Sequence, residues 1–156
     1  MLEVKRSYNL FLLLLPLVIL CSKAKIPQTD LLPKKTENKI VLSIKDRKIE
    51  VEVAKTPEKR ALGLMYRKSL DWKAGMFFIF EQESKSPFWM KNTYLPLSIA
   101  FIDKNDVIIE IFEMTPNQEA ILYAPSRPYI TALEMNRGWF LENGVKTGDT
   151  IYGIPK

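Results

Sequence analysis

The 156-residue chain contains no histidine and a single cysteine, Cys21. Without histidine there is no Ser-His-Asp or Cys-His relay, no imidazole metal ligand and no imidazole acid–base chemistry. If Cys21 is modified, as its position suggests, no thiol remains for a disulfide, a thiolate nucleophile or a zinc–sulfur bond. A charge excess concentrated enough to grip nucleic acid is also missing. The formal net charge is +5, and residues 1–20 contribute +1 of it (Lys5 and Arg6 against Glu3), leaving +4 spread among interspersed acids. That pattern excludes a basic nucleic-acid footprint and leaves an envelope surface as the expected neighbour.

Long apolar runs are scarce, and the single conspicuous one lies near the start. Lys5 and Arg6 precede Leu10–Leu20, an unbroken apolar run apart from Pro16. A bilayer span needs about 20 such residues. Eleven fit the core of a signal peptide. Cys21 follows immediately, where the lipid-acceptor cysteine of a bacterial lipoprotein stands. Val18-Ile19-Leu20 make an imperfect lipobox, with Leu20 where a small residue is usual. An uncleaved anchor, or an ordinary signal peptide cut nearby, are the other readings. The expectation is a signal peptide over 1–20, then a lipidated Cys21 on a tether reaching residue 39. The protein would be exported and membrane-anchored in the cell envelope, periplasmic or outer-membrane associated. Residues 22–39 are polar, with Pro27, Pro33 and several lysines. As a flexible coil they would span about 20–25 Å.

Residues 40–156 have the size of one domain, with no internal repeat. Ile40, Leu42 and Ile44, then Ile49, Val51 and Val53, alternate with smaller or polar residues, which predicts a hairpin turning at 45–48. Thr56 as N-cap and Pro57 at the first helical position open a helical pattern towards Leu70. On that helix Arg60 and Arg67 would stand nearly in line, two turns apart, with Gly63 between. Further strands are predicted at 76–80, 98–103, 106–112, 121–124 and 130–135, then a short helix closed by Gly144 and a last strand. The fold class is mainly β, a sandwich or barrel with one or two short helices.

The blocks "RALGLMYRKSL" (60–70), "GMFFIF" (75–80), "FWMKNTYLPLSIAFID" (88–103), "LEMNRGW" (133–139) and "GVKTGDTI" (144–151) occur in order. In that order and spacing they resemble the domain of unknown function 192 family, over about residues 40–154. The resemblance implies a compact, mainly β, jelly-roll-like domain, often exported behind a signal peptide, and no established activity. One departure is Ser98, where the family usually carries an acidic residue.

Candidate site residues come from polar groups set in apolar runs. Read as a strand, 88–93 places Phe88, Met90 and Asn92 on one face and Trp89, Lys91 and Thr93 on the other, so both faces mix polar and apolar members. Beside the small Ser98 and Ala100, Lys91, Asn92 and Thr93 would rim a ligand cleft. Alternatively Asn92 and Thr93 bond the backbone before Pro96, and the Lys91 stem lies over Trp89. Arg60 and Arg67 suit an anionic or carbonyl-rich ligand, or surface ion pairs. Glu134, inside "TALEMN", either pairs with an arginine or has a raised pKa. Met65, Met76, Met90, Met114 and Met135 could hold Cu(I), though methionine more often fills cores. No cofactor and no metal is expected.

The favoured function is a lipid-anchored binding module for a small ligand or an envelope protein. The others are a structural envelope protein and a carboxylate-dependent glycan hydrolase using Glu134 with Asp103, which would need the two carboxyls about 5–9.5 Å apart.

Overall fold

The computed structural model describes residues 38–155. The signal segment, Cys21 and the tether up to residue 37 lie outside the described residues. Strand β1 (Lys39–Ile44) turns at Lys45-Asp46 into β2 (Arg47–Ala54), pairing Lys39 with Glu52 and Ile44 with Arg47. Lys45 takes the left-handed conformation that so tight a turn needs (φ 51°). Thr56 caps helix α1 (Pro57–Leu62), its hydroxyl accepting from the Lys59 amide. Then come β3 (Ala74–Ser84), β4 (Leu97–Ile102), β5 (Ile108–Met114) and β6 (Tyr129–Asn136). Helix α2 (Trp139–Glu142) and β7 (Ile151–Tyr152) finish the domain.

All seven strands form one sheet in the order β5-β4-β6-β3-β2-β1-β7, curled into a half-barrel. Its two edges meet where the Ile108 amide donates to Asp149 and the Ile151 amide to Asp106. The fold is therefore mainly β with two short helices, as the alternation implied. Because successive residues face opposite sides, the sheet carries a core on each face. The concave core gathers Leu42, Val51, Phe77, Ile102, Leu133 and α2's Trp139 and Phe140. The convex core gathers Leu64, Phe78, Met90, Ile99, Phe101 and Tyr129. After α2 the Gly144 amide donates to Leu141 and the Val145 amide to Phe140, with Gly144 at φ 64°. This Schellman closure uses glycine because the position is left-handed.

Three sequence expectations differ from the structure. The helix stops at Leu62 because Gly63 (φ 49°, ψ −134°) leaves helical space, so Arg60 and Arg67 are not on one helix face. Residues 88–93 are a turn laid on the convex face, not a strand. Only Phe88 bridges, to Tyr123, and Asn92 has φ 52°. Residues 121–124 share that single bridge and form no strand. At 88–93 Met90 is buried without strand pairing, whereas Ile121 and Leu122 stay exposed.

Candidate functional site

Glu134 lies mid-strand in β6, between Met76 of β3 and Ile99 of β4. Its side chain faces the convex side with these apolar neighbours. Gly75, next to Met76, lets β3 come close: a Cβ there would stand 2.4 Å from the Glu134 carbonyl oxygen and 2.4 Å from Met135 Sδ. Glu134 is only 5% exposed, and its carboxyl has no hydrogen bond or ion pair among the described residues. Desolvation with nothing to offset it raises its pKa to about 8. At neutral pH the group is a carboxylic acid, able both to donate and to accept.

The carboxyl lines a small crevice of about 30 Å³, room for one or two water molecules. Its walls include Arg60, Gly63 and Met65 from the first motif block, Trp89 and Thr93 from the third, and Glu134 from the fourth. Segments far apart in sequence thus converge on one spot. Four of the seven candidates, Arg60, Trp89, Thr93 and Glu134, are among them.

Most of these polar groups are engaged. Arg60 donates to the Ile79 carbonyl (3.0 Å) and to the Lys55 carbonyl, with its guanidinium 4.9 Å from the centre of the Phe80 ring. Thr93 is buried and donates to the Lys91 carbonyl (3.1 Å). Trp89 is 47% exposed at the lip. Lys91 Nζ stands 5.4 Å over the Trp89 ring and 3.3 Å from Glu119. Asn92 reaches away from the crevice: its amide donates to Tyr66 Oη at 2.9 Å, and its carbonyl accepts from the Tyr66 amide. Arg67 forks onto Glu52 (2.5 and 2.6 Å), and this contact holds its pKa above the usual value. Arg67, Lys91 and Asn92 therefore do not line the crevice. The arginine partner expected for Glu134 is absent among the described residues, because one arginine is taken by backbone carbonyls and the other by Glu52.

Ser98 sits on the opposite, concave face, fully buried. Its hydroxyl donates to Glu113 Oε1 (2.7 Å) and accepts from the Gly138 amide (2.9 Å). Glu113, directly across from Ser98 on β5, supplies a carboxylate at that position from the neighbouring strand, and Arg137 Nε lies 3.4 Å from it. Sequence reading missed Glu113, because nothing local marks a cross-strand partner. Asp103 bonds the Asn105 and Val107 amides of its own turn. The β4–β6 register places it four residues, about 13 Å, along the strand from the level of Glu134, so the two do not form a hydrolytic pair. Met76, Met90, Met114 and Met135 are buried in the two cores. Among the described residues no helix is long and apolar enough to cross a membrane.

Residues 40–153 match the model of the family described as DUF192, "Uncharacterized ACR". A solved structure from Sinorhizobium meliloti, described provisionally as a transcription regulator, is similar at 32% identity with a TM-score of 0.71, covering 75% of this chain and 95% of that one. Another, a protein of unknown function from Novosphingobium aromaticivorans, is 28% identical with a TM-score of 0.66, covering 72% and 82%. No curated protein matches the chain.

Proposed function

The chain belongs to the DUF192 family, and from that premise and the crevice at Glu134 we propose that it is a lipid-anchored envelope protein working as a binding module. Export and anchoring rest on Lys5-Arg6, the Leu10–Leu20 run and Cys21 directly after it. Binding rests on one observation: the Glu134 carboxyl, on a side chain only 5% exposed and without a partner among the described residues, opens onto the crevice where separate motif blocks meet. Desolvation there disfavours the charged carboxylate. A fold that needed only packing at this position would be better served by leucine or methionine. A protonated carboxyl beside an exposed Trp89, with Arg60 at the wall, suits a neutral ligand edge bearing a hydroxyl or an amide.

Two experiments test the halves separately. Cells fed an alkyne-tagged fatty acid should label the protein, and Cys21→Ser should abolish the label and release the chain from membranes. Labelling that survives the substitution refutes the anchor. The full chain carrying Cys21→Ser is then titrated by NMR with glycan and peptide fragments of the cell wall. The binding reading expects shifts centred on Gly63, Trp89 and Thr93 that vanish in Glu134→Leu. Absence of site-centred shifts with both probes leaves the structural role in its place.

A further inference from the structure

A second hollow opens at one end of the half-barrel, away from the motif crevice. The start of β1, the ends of β2 and β3, the start of β6 and the β4–β5 turn all reach this end, together with Ile154 and Pro155. The strand directions require it: β1 runs against β2, β2 runs with β3, and β3 runs against β6. The cleft holds about 810 Å³, within the roughly 300–1,000 Å³ of small-molecule sites. Its apolar lining, Ile40, Val53, Ile79, Phe80, Ile130 and Ile154, is half-buried and not sealed. Ile40, Ile79 and Ile154 continue the concave core outward to solvent, where a closed barrel would cap them.

Thr131 adds an independent sign. It lines the same cleft, is 4% exposed, and its Oγ1 is the one buried side-chain polar atom without a partner among the described residues. Native folds rarely leave such an atom unsatisfied. At the rim, Lys55 and Lys104 face Glu81 and Asp106 with no ion pair among the described residues, and Lys39 is engaged with Glu50. The rim thus offers two ammonium groups and two carboxylates. The chain enters the domain on this rim too, since Asn38 is one of the lining residues.

We propose that this open end binds a single-chain lipid: an apolar tail in the Ile40–Val53–Ile79–Ile154 trough and a head carrying both phosphate and ammonium between the rim lysines and carboxylates. The tail meets apolar side chains, the Thr131 hydroxyl meets the ester or hydroxyl linking tail to head, and each head charge finds its opposite. That the bilayer supplies the lipid rests on the lipid-anchor reading above. Sixteen residues separate Cys21 from Asn38, a coil of about 20–25 Å, so the cleft would be tied near the headgroups.

The test uses the full chain carrying Cys21→Ser, so it does not depend on whether the anchor exists. Calorimetric titration below the critical micelle concentration compares lysophosphatidylethanolamine, lysophosphatidylglycerol and a fatty acid of equal chain length. One-to-one binding is expected, tightest for lysophosphatidylethanolamine, weakening about fourfold for each methylene removed. Thr131→Val should weaken binding while leaving the thermal midpoint unchanged or raised. Lys55→Ala with Lys104→Ala should remove the preference among heads. Ile79→Trp, which fills the trough, should abolish binding in a protein that still melts cooperatively. No saturable binding, or binding indifferent to chain length, overturns the site. Equal affinity for the fatty acid overturns the head assignment.

Discussion

Replacing Glu134 by glutamine changes one atom type in the crevice and removes one ionisation. In the folded protein the carboxyl titrates at about 8, against 4.5 for the free group. Between those values the unfolded chain has lost the proton and the folded chain has kept it. Folding therefore binds a proton, and stability is fully present below pH 4.5 and is lost as pH rises towards 8. The loss is about 1.4 kcal/mol per pH unit until the folded group itself titrates, so about 3 kcal/mol at pH 7 and about 4 at pH 8. Glutamine carries no such dependence. Its amide introduces an unpartnered donor worth about 1 kcal/mol against it. Glu134→Gln should thus be slightly less stable than the natural protein at pH 4.5, and about 2 kcal/mol more stable at pH 7. Urea unfolding of both proteins, each also carrying Cys21→Ser, from pH 4.5 to 8 measures the difference directly, and other titrations cancel in it. A stability difference that does not vary with pH refutes the reasoning, as does a Glu134 carboxyl carbon resonance that titrates near 4.5.

Gly63→Ala should cost about 1–3 kcal/mol in the same unfolding assay, because φ 49°, ψ −134° is strained for any side chain. The added Cβ itself meets Phe78 at an ordinary 3.6 Å. A change within a few tenths would show that the backbone relaxes freely there. Ser98→Ala should cost about 1–3 kcal/mol by leaving the Gly138 amide only the longer 3.3 Å contact to Glu113. The matching Ser98→Asp should place two carboxylates side by side, and the Glu113→Gln background should rescue it.

How much could be read beforehand follows from what each signal reports. Period-two alternation at 40–44 and 49–53 reports one buried face, and β1 and β2 lie where it indicated. The N-cap at Thr56 was legible because capping is local chemistry. Its far end was not, since Gly63 ends the helix through a dihedral that the apolar pattern across 64–65 conceals. Segment 88–93 looked like a strand because Phe88 and Met90 are apolar residues that pack on the sheet, yet packing against a sheet does not require pairing within it. Glu134 stood out as an acid in an apolar run. Its lack of a partner depends on Arg67 choosing Glu52, a residue fifteen positions earlier. The open end of the barrel left no trace in sequence, because it is lined by one to three residues from each of several strand ends and turns.

Asn38 and Pro155 border the same cleft, and this bears on how the protein should be handled. An affinity tag or fluorescent protein joined next to Pro155 would sit at the mouth and compete with whatever enters. The hairpin tip at Lys45-Asp46 lies at the other end of β1. An epitope or dye inserted there would report on the molecule while leaving the entrance clear.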